Sequence, residues 1–394
     1  MTATPFILLD DSLTAMAPGA SGRTLLFEDP ERVIAVYRPE DVEAGLDIVT
    51  DGLSRGLHAT GFFAYELGYC LEPKLQSLLP RDRRQPLFWI GLFREPARFT
   101  DAETRGWLDA NGALERSTIS DLQLSWTRDE YTNAFAKVQD YIAAGDVYQI
   151  NLTLKYRFAF SGDPVALYSA LRRKQRVEYG ALIGAGDFQV LSLSPELFFR
   201  REGKHLTSRP MKGTAPRGRT PREDARLKTW LTVDEKQRAE NLMIVDLLRN
   251  DIGRLSRIGT VRVPQLFTVE TYNTLHQMTS TVEGELAGHL SIREIMVGLF
   301  PCGSVTGAPK IRAMEIIREL EATPRGVYCG AIGRIGRDGS MRFNVAIRTL
   351  TVFPDNRFQL NVGSGLVADS RADDEYAECL LKARFLNDSI AVSA

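Results

Sequence analysis

The 394 residues carry 49 Lys and Arg against 50 Asp and Glu, a formal net charge of −1, which excludes the broad basic field of a nucleic-acid binder. Hydrophobic residues make up 44% and charged residues 25%, the balance of a globular chain, and this length predicts one large or two fused domains. No apolar run reaches the ~20 residues of a bilayer span, and Phe6-Ile7-Leu8-Leu9 is flanked by two acids rather than a basic segment, so neither membrane anchor nor signal peptide is expected and a cytoplasmic location is. Cys70, Cys302, Cys329 and Cys379 form no C-x-x-C pair and the four histidines are scattered. That argues against a zinc site and for reduced thiols, with Cys302 read as a packed thiol.

In chain order, residues 1–120 read as short strands and loops. Val33-Ile34-Ala35-Val36-Tyr37 is a buried-strand candidate, and the aromatic, glycine-rich run from Gly61 to Tyr69 a core strand. Residues 80–86, with Arg81, Arg83 and Arg84 around Asp82, read as a solvated loop. Residues 98–121 turn polar, with Gly106 and Asn111-Gly112 as turn signals, and place a domain boundary near residue 120. The expected division is an N-terminal region, 1–120, and a second domain, 121–394.

The second part is more regular. Thr127 and Glu130 form a capping box, Tyr131, Phe135, Val138 and Ile142 follow at helical spacing, and Gly145 ends that helix. From Tyr148 to Phe158 apolar and polar residues alternate, which predicts a long strand with one buried face. Asp163-Pro164 opens a helix, 179–184 and 188–193 read as paired strands, and Ser194-Pro195-Glu196 interrupts the pattern. Capping signals at Asp234 and Ser291 open further helices. Pro309 follows a glycine-rich loop into an amphipathic helix through Ile311, Met314, Ile317 and Leu320. Strands are predicted at 330–335, 341–352 and 358–362, and a last helix at 374–390. Short turns between adjacent strands, such as Asp338-Gly339, favour antiparallel sheets. The expected fold is α+β, a large antiparallel-sheet sandwich with helices outside.

The chemistry-bearing stretch is Arg209-Pro210-Met211-Lys212-Gly213-Thr214. Pro210 restricts φ and Gly213 admits close backbone approach, so Lys212 is placed with little freedom, as a point charge or an amine nucleophile requires. On these residues alone a turn with a solvated lysine is the simpler reading. Glu375, Glu378 and Lys382 share one helix face, where a solvated ion pair is the simpler reading. Magnesium needs hard oxygen ligands and keeps several waters, so Glu240 with Glu378 would suffice for it. The loop 302–308 before Pro309 is too short for a P-loop and suits a small carboxylate better than a nucleotide. Gly363-Ser364-Gly365, expected after a strand, offers a second anion nest. Arg348, placed in an otherwise apolar strand, needs a ligand carboxylate or a structural acid. His276 fits a hydrogen-bonded strand histidine.

Taken together, Ser194-Pro195-Glu196, Pro210-Met211-Lys212-Gly213-Thr214, the run from Glu240 to Asp251, Gly303-Ser304-Val305-Thr306-Gly307-Ala308-Pro309-Lys310, and Gly363-Ser364-Gly365 with Ala368-Asp369-Ser370 closely resemble the chorismate-utilising enzymes. Anthranilate, isochorismate, salicylate and aminodeoxychorismate synthases belong to that family. The resemblance covers about residues 125–390, with five motifs in family order. Anthranilate and isochorismate-type members carry alanine where Lys212 stands; the branch that aminates chorismate at the 4-position carries lysine. Leu8-Leu9-Asp10-Asp11-Ser12 and Tyr65-Glu66-Leu67-Gly68-Tyr69 also look like that branch.

The resemblance implies conversion of chorismate and ammonia to 4-amino-4-deoxychorismate, with ammonia supplied by a separate glutamine amidotransferase subunit. It implies Glu196 as general acid and Lys212 as nucleophile. Magnesium would be held through Glu240 and Glu378, with Glu375 nearby. Gly213, Thr214, Tyr328, Arg348, Gly363, Ser364 and Gly365 would line the chorismate site, and His276, Thr306 and Lys382 would lie near it. An anthranilate synthase is the alternative within the family, against which Lys212 argues. A non-catalytic chorismate-binding scaffold would have lost the acid or the lysine, and neither is lost. The chain departs from the family where relatives hold a tryptophan with Asn-Pro-Ser-Pro-Tyr, reading Gln175-Arg176-Val177-Glu178-Tyr179 instead.

Overall fold

The computed structural model describes residues 4–14, 22–112, 118–272, 275–355, 357–387 and 391–392. Two large sheets carry the fold. The first has eleven strands, in the order Ala391–Val392, Thr118–Leu124, Gln149–Ser161, Arg357–Leu366, Thr349–Val352, Gln189–Ser194, Tyr179–Gly184, Phe6–Asp10, Thr24–Glu28 and Ala97–Phe99, with Gly307–Ala308 pairing onto Gln149–Ser161. The second has ten, in the order Met211–Pro216, Leu275–Glu285, His205–Arg209, Leu197–Glu202, Met341–Val345, Ala331–Ile335, His58–Phe63, Phe88–Phe93 and Arg32–Val36, with Arg262–Thr271 pairing onto Leu275–Glu285. Among the described pairings only Ala391–Val392 with Thr118–Leu124 is parallel. This is the expected α+β antiparallel architecture.

The sheets pack face to face. Ile7, Phe27, Ile183 and Val190 of the first meet Phe62, Trp89, Phe93 and Ile332 of the second in one apolar cluster. Both sheets run through residue 120: Phe6–Asp10 pairs with Tyr179–Gly184, and His58–Phe63 pairs with Ala331–Ile335. A buried ion cluster ties the same halves together. Arg172 donates to Asp10 at 2.7 and 3.1 Å and to Asp101 at 2.7 Å.

Several elements differ from the sequence expectation for identifiable reasons. Residues 101–111 form a helix, capped by a Thr100–Glu103 box, with Gly106 in its middle rather than in a turn. Arg32–Val36 is a sheet edge, and Val33 is exposed. Leu67–Leu71 is helical, so the aromatic run is a strand only as far as Phe63. The Gln149–Ser161 strand is buried on both faces along its first eight residues. Gln149, Asn151, Thr153 and Lys155 turn inward, toward a polar interior, while Arg157 stays exposed. Residues 341–352 are two strands, Met341–Val345 in the second sheet and Thr349–Val352 in the first. Arg348 therefore stands in the crossing between sheets, at φ 51°, not inside a strand. Gly363, Ser364 and Gly365 lie within Arg357–Leu366 and pair with Thr153, Leu152 and Asn151, so they form no nest after a strand. The last helix is Ala372–Asn387; the expected end at residue 390 lies outside the described residues.

Candidate active site

The chain passes between the sheets twice at one place. Ser194-Pro195-Glu196 leads from Gln189–Ser194 to Leu197–Glu202, and 346–348 leads from Met341–Val345 to Thr349–Val352. The two crossings are laced together. Ser194 Oγ donates to Val345 O at 2.6 Å, Val345 N to Glu196 O at 3.0 Å, and Leu193 N to Arg348 O at 3.0 Å. Backbone geometry thus sets Glu196 on one crossing and Arg348 on the other.

Glu196 is buried, and loss of solvent lifts its carboxyl to about 7, against the stabilising influence of Ser304, Lys212 and the Met211 backbone N–H. Ser304 Oγ donates to Glu196 Oε1 at 2.9 Å. Burial lowers the Arg348 basicity. Among the described residues no carboxylate pairs with it; with its amide oxygen turned toward the guanidinium, Gln175 accepts from Arg348 Nε at 3.3 Å. A partly buried cation without a counter-ion is costly, and an incoming anion would relieve that cost.

Lys212 is aimed by a β-bulge. Met211 pairs with Thr279 and Thr214 with Gln277, so Lys212 and Gly213 together face the single residue Met278. Gly213 takes φ 95°, a conformation glycine adopts without strain. Asn241 Nδ2 donates to Lys212 O at 3.1 Å and Gln277 Nε2 to Gly213 O at 2.8 Å, which pins the bulge from both sides. The amine reaches across to the first sheet: a Cβ added at Gly365 would stand 2.6 Å from Lys212 Nζ. Gly365 is therefore the vacancy the lysine occupies. The same Cβ would lie 3.4 Å from Gln149, whose side-chain oxygen and nitrogen are both buried without a partner among the described residues. Gln149 is a site residue that sequence reasoning missed; its signal was the polar face of its strand.

Three acids lie within electrostatic reach of one another, two of them also of Lys212. Glu240, on the Glu235–Leu255 helix, is raised by burial and by Glu375 and Glu378 across from it, with Lys212 and Lys236 opposing. Glu378 is half exposed; burial raises it, but Lys382 at 2.6 Å and, further off, Lys212 and Lys236 bring it below the usual carboxylate range. Glu375 accepts from Ser370 Oγ at 2.6 Å, and Lys382 also donates to Gly363 O at 2.8 Å. Among the described residues no three acids stand close enough together to hold an ion as arranged. The donor set, carboxylate oxygens from two facing helices, nevertheless fits magnesium, which needs only one or two such ligands beside its waters.

Of the remaining expected residues, Ser364 is buried, with its Oγ 3.5 Å from the Tyr131 hydroxyl. Tyr328 is buried, which holds its phenol well above the ordinary value. Thr306 is buried and donates through Oγ1 to Cys302 O at 2.9 Å. Thr214 is exposed and donates through its backbone N–H to Gln237 Oε1 at 3.2 Å. His276 has both ring nitrogens engaged, Nε2 with Asp224 Oδ1 and Nδ1 with Thr271 Oγ1, each at 3.0 Å. In the loop 302–308 Val305 N donates to Cys302 O and Thr306 N to Gly303 O, while Gly307 and Ala308 pair with Ile150 and Gln149, and Tyr148 N and Asn151 N donate to Ala308 O and Thr306 O.

A family model described as chorismate binding enzyme matches residues 19–388. The chain belongs to the chorismate-binding enzyme family. Within that family it is 40% identical over 337 residues to aminodeoxychorismate synthase component 1 of Klebsiella aerogenes, covering 81% of this chain and 74% of that relative. It is 35% identical over 364 residues to the protein of the same description in Bacillus subtilis, covering 85% and 77%. Among solved structures, anthranilate synthase component I from Streptococcus pneumoniae superposes with a TM-score of 0.77 at 25% identity, over 98% of this chain and 92% of that one.

Proposed function

We propose that this chorismate-binding enzyme aminates chorismate, as its relatives' description implies, releasing 4-amino-4-deoxychorismate toward p-aminobenzoate and folate. The observation that carries the reading is the Lys212 amine held over Gly365, in the field of a buried Glu196 that keeps its proton to about pH 7. One carboxyl placed to give a proton and one amine placed to attack are what a substitution at a hydroxyl-bearing ring carbon requires.

In this reading Glu196 gives its proton to the ring 4-hydroxyl, which leaves as water while the Lys212 amine attacks the ring with allylic shift. Ammonia then attacks the 4-carbon, the double bond shifts back and the lysine departs. Arg348 holds a chorismate carboxylate from its partly buried position, where no carboxylate among the described residues pairs with it. Tyr328, Gly213, Thr214 and residues 363–365 line the ring pocket, with Thr306, His276 and Lys382 around it. All of these lie within 121–394, the part proposed as the catalytic region. Gln149 presents its free amide beside the amine. Magnesium, through Glu240 and Glu378 with Glu375 close by, would supply positive charge for the ring carboxylate. Ammonia comes from a glutamine amidotransferase partner. The four cysteines are free thiols, in keeping with a reducing cytoplasm, and among the described residues no helix is long and apolar enough to cross a membrane.

The test is product identification by mass spectrometry after mixing protein, chorismate, magnesium and an ammonium salt. Aminodeoxychorismate is expected; anthranilate would assign the chain to the other branch. Lys212→Ala should abolish the product while circular dichroism and melting stay those of the wild type. Full activity in that variant would remove the lysine from the mechanism.

A further inference from the structure

Glu196 carries its proton in a particular setting. Ser304 Oγ donates to Glu196 Oε1, and Cys302 Sγ lies 3.3 Å behind Ser304 Oγ. All three side chains are buried. Loss of solvent, with Glu196 adding to it, pushes the Cys302 thiol up to about 12, so the thiol stays protonated and serves as donor. With the single Ser304 hydroxyl proton given to Glu196 Oε1, the protonated thiol is left as the donor to Ser304 Oγ.

The serine is also fixed in place. It sits in the tight turn Gly303–Val305, closed by Val305 N to Cys302 O, Thr306 N to Gly303 O and Thr306 Oγ1 to Cys302 O. The turn packs directly under the Glu235–Leu255 helix, where a Cβ on Gly303 would meet Leu247 Cδ2 at 2.2 Å. The other groups turned toward the carboxyl are the Met211 backbone N–H and Lys212, both on the opposite sheet.

A carboxylic acid with one oxygen engaged as acceptor carries its proton on the other. We propose that Ser304 is the positioning residue for the general acid: by donating to Oε1 it directs the transferable proton to Oε2, with the Met211 backbone N–H as the carboxyl's other donor. Cys302 supports it by donating to the serine. The inference rests on the reading of Glu196 as the acid, and it adds what sets the orientation and titration of that acid. When Glu196 gives up its proton, the Ser304 hydroxyl stabilises the anion formed, so the same contact serves both halves of the transfer.

The experiment is the pH dependence of kcat and KM with chorismate and an ammonium salt, for the wild type, Ser304→Ala, Ser304→Thr and Cys302→Ala. For Ser304→Ala, kcat is expected to fall by about tenfold to a hundredfold, with KM for chorismate within about twofold of the wild type. The alkaline limb of the kcat profile should move to higher pH, because the carboxylate loses a donor. Ser304→Thr keeps the hydroxyl and should restore both. Cys302→Ala should move the limb the same way by less. Wild-type kcat and limb in Ser304→Ala would overturn the proposal, and so would equal impairment in Ser304→Ala and Ser304→Thr, which would make the side chain a packing element. Should Ser304→Ala fail to fold, an unmoved limb in Cys302→Ala together with a changed one in Ser304→Thr overturns it. Failure of the underlying reading looks different: the wild type forms no aminated product, or Glu196→Gln stays fully active.

Discussion

Burial sets the working range of Glu196. A solvated glutamate loses its proton near pH 4.3; out of water this one keeps it to about 7. The acid form therefore prevails below that pH and disappears above it, so kcat is expected to decline as pH rises through about 7. Glu196→Gln preserves shape and an oxygen for Ser304 but has no proton to give. Its turnover should fall by about 10²–10⁴-fold. The stability consequence has a definite sign. A carboxyl with a raised folded pKa costs stability above its unfolded pKa, increasingly up to the folded one. The glutamine variant should thus gain on the wild type between pH 4 and pH 8, by up to about 3 kcal/mol; denaturant melts at the two pH values check this, and a difference that shrinks with rising pH would contradict the assignment. At this scale the sequence was informative where a motif singled out one residue, as for Glu196 and Lys212. It was silent on Gln149, because alternation along a strand reads the same whether the polar face meets water or a polar interior.

At the scale of elements, the site is made by two chain crossings and one bulge rather than by any single strand. Pro195 and the positive φ of Arg348 mark where the chain leaves one sheet for the other. Periodicity does not register such a crossing, since the strands on either side keep their alternation, and so 341–352 read as one strand. The helix at 101–111 was hidden for the opposite reason: its polar composition and Gly106 resemble a linker, while its identity rests on the Thr100–Glu103 box and few buried residues. The lacing of the crossings is testable. Ser194 Oγ serves Val345 O and also receives Glu196 N at 3.3 Å. Ser194→Ala leaves the buried Glu196 N–H without its partner, while Val345 O keeps Ile347 N at 2.7 Å, and should cost about 1–3 kcal/mol. Because this serine ties the crossing that carries Glu196 to the one that leads to Arg348, kcat and the KM for chorismate should worsen together. Loss of stability with unchanged kinetics would mean that the crossings do not depend on each other.

For the whole molecule, the site lies where the two sheets approach at one end, and each contributes half of it. Lys212 stands on the second sheet, and Gln149 and Gly365 on the first. The proposed metal ligands divide the same way. Glu240 belongs to the helix that packs on Met211–Pro216 and Leu275–Glu285, and Glu378 to the helix that packs on Arg357–Leu366. Without a cation, Glu240 faces Glu375 and Glu378, with Lys212, Lys236 and the Lys382 bound to Glu378 offsetting the repulsion. A divalent ion there would turn repulsion between the two halves into attraction. Magnesium binding should therefore be measurable on the protein itself, as heat in titration calorimetry and as a rise in melting temperature that grows with magnesium concentration. Glu240→Gln should abolish both effects, and EDTA should stop turnover until magnesium is restored. A melting temperature indifferent to magnesium, with turnover insensitive to EDTA, would mean that the carboxylates only repel one another, and that Lys212, Lys236 and Lys382 alone supply the positive charge at the mouth of the site.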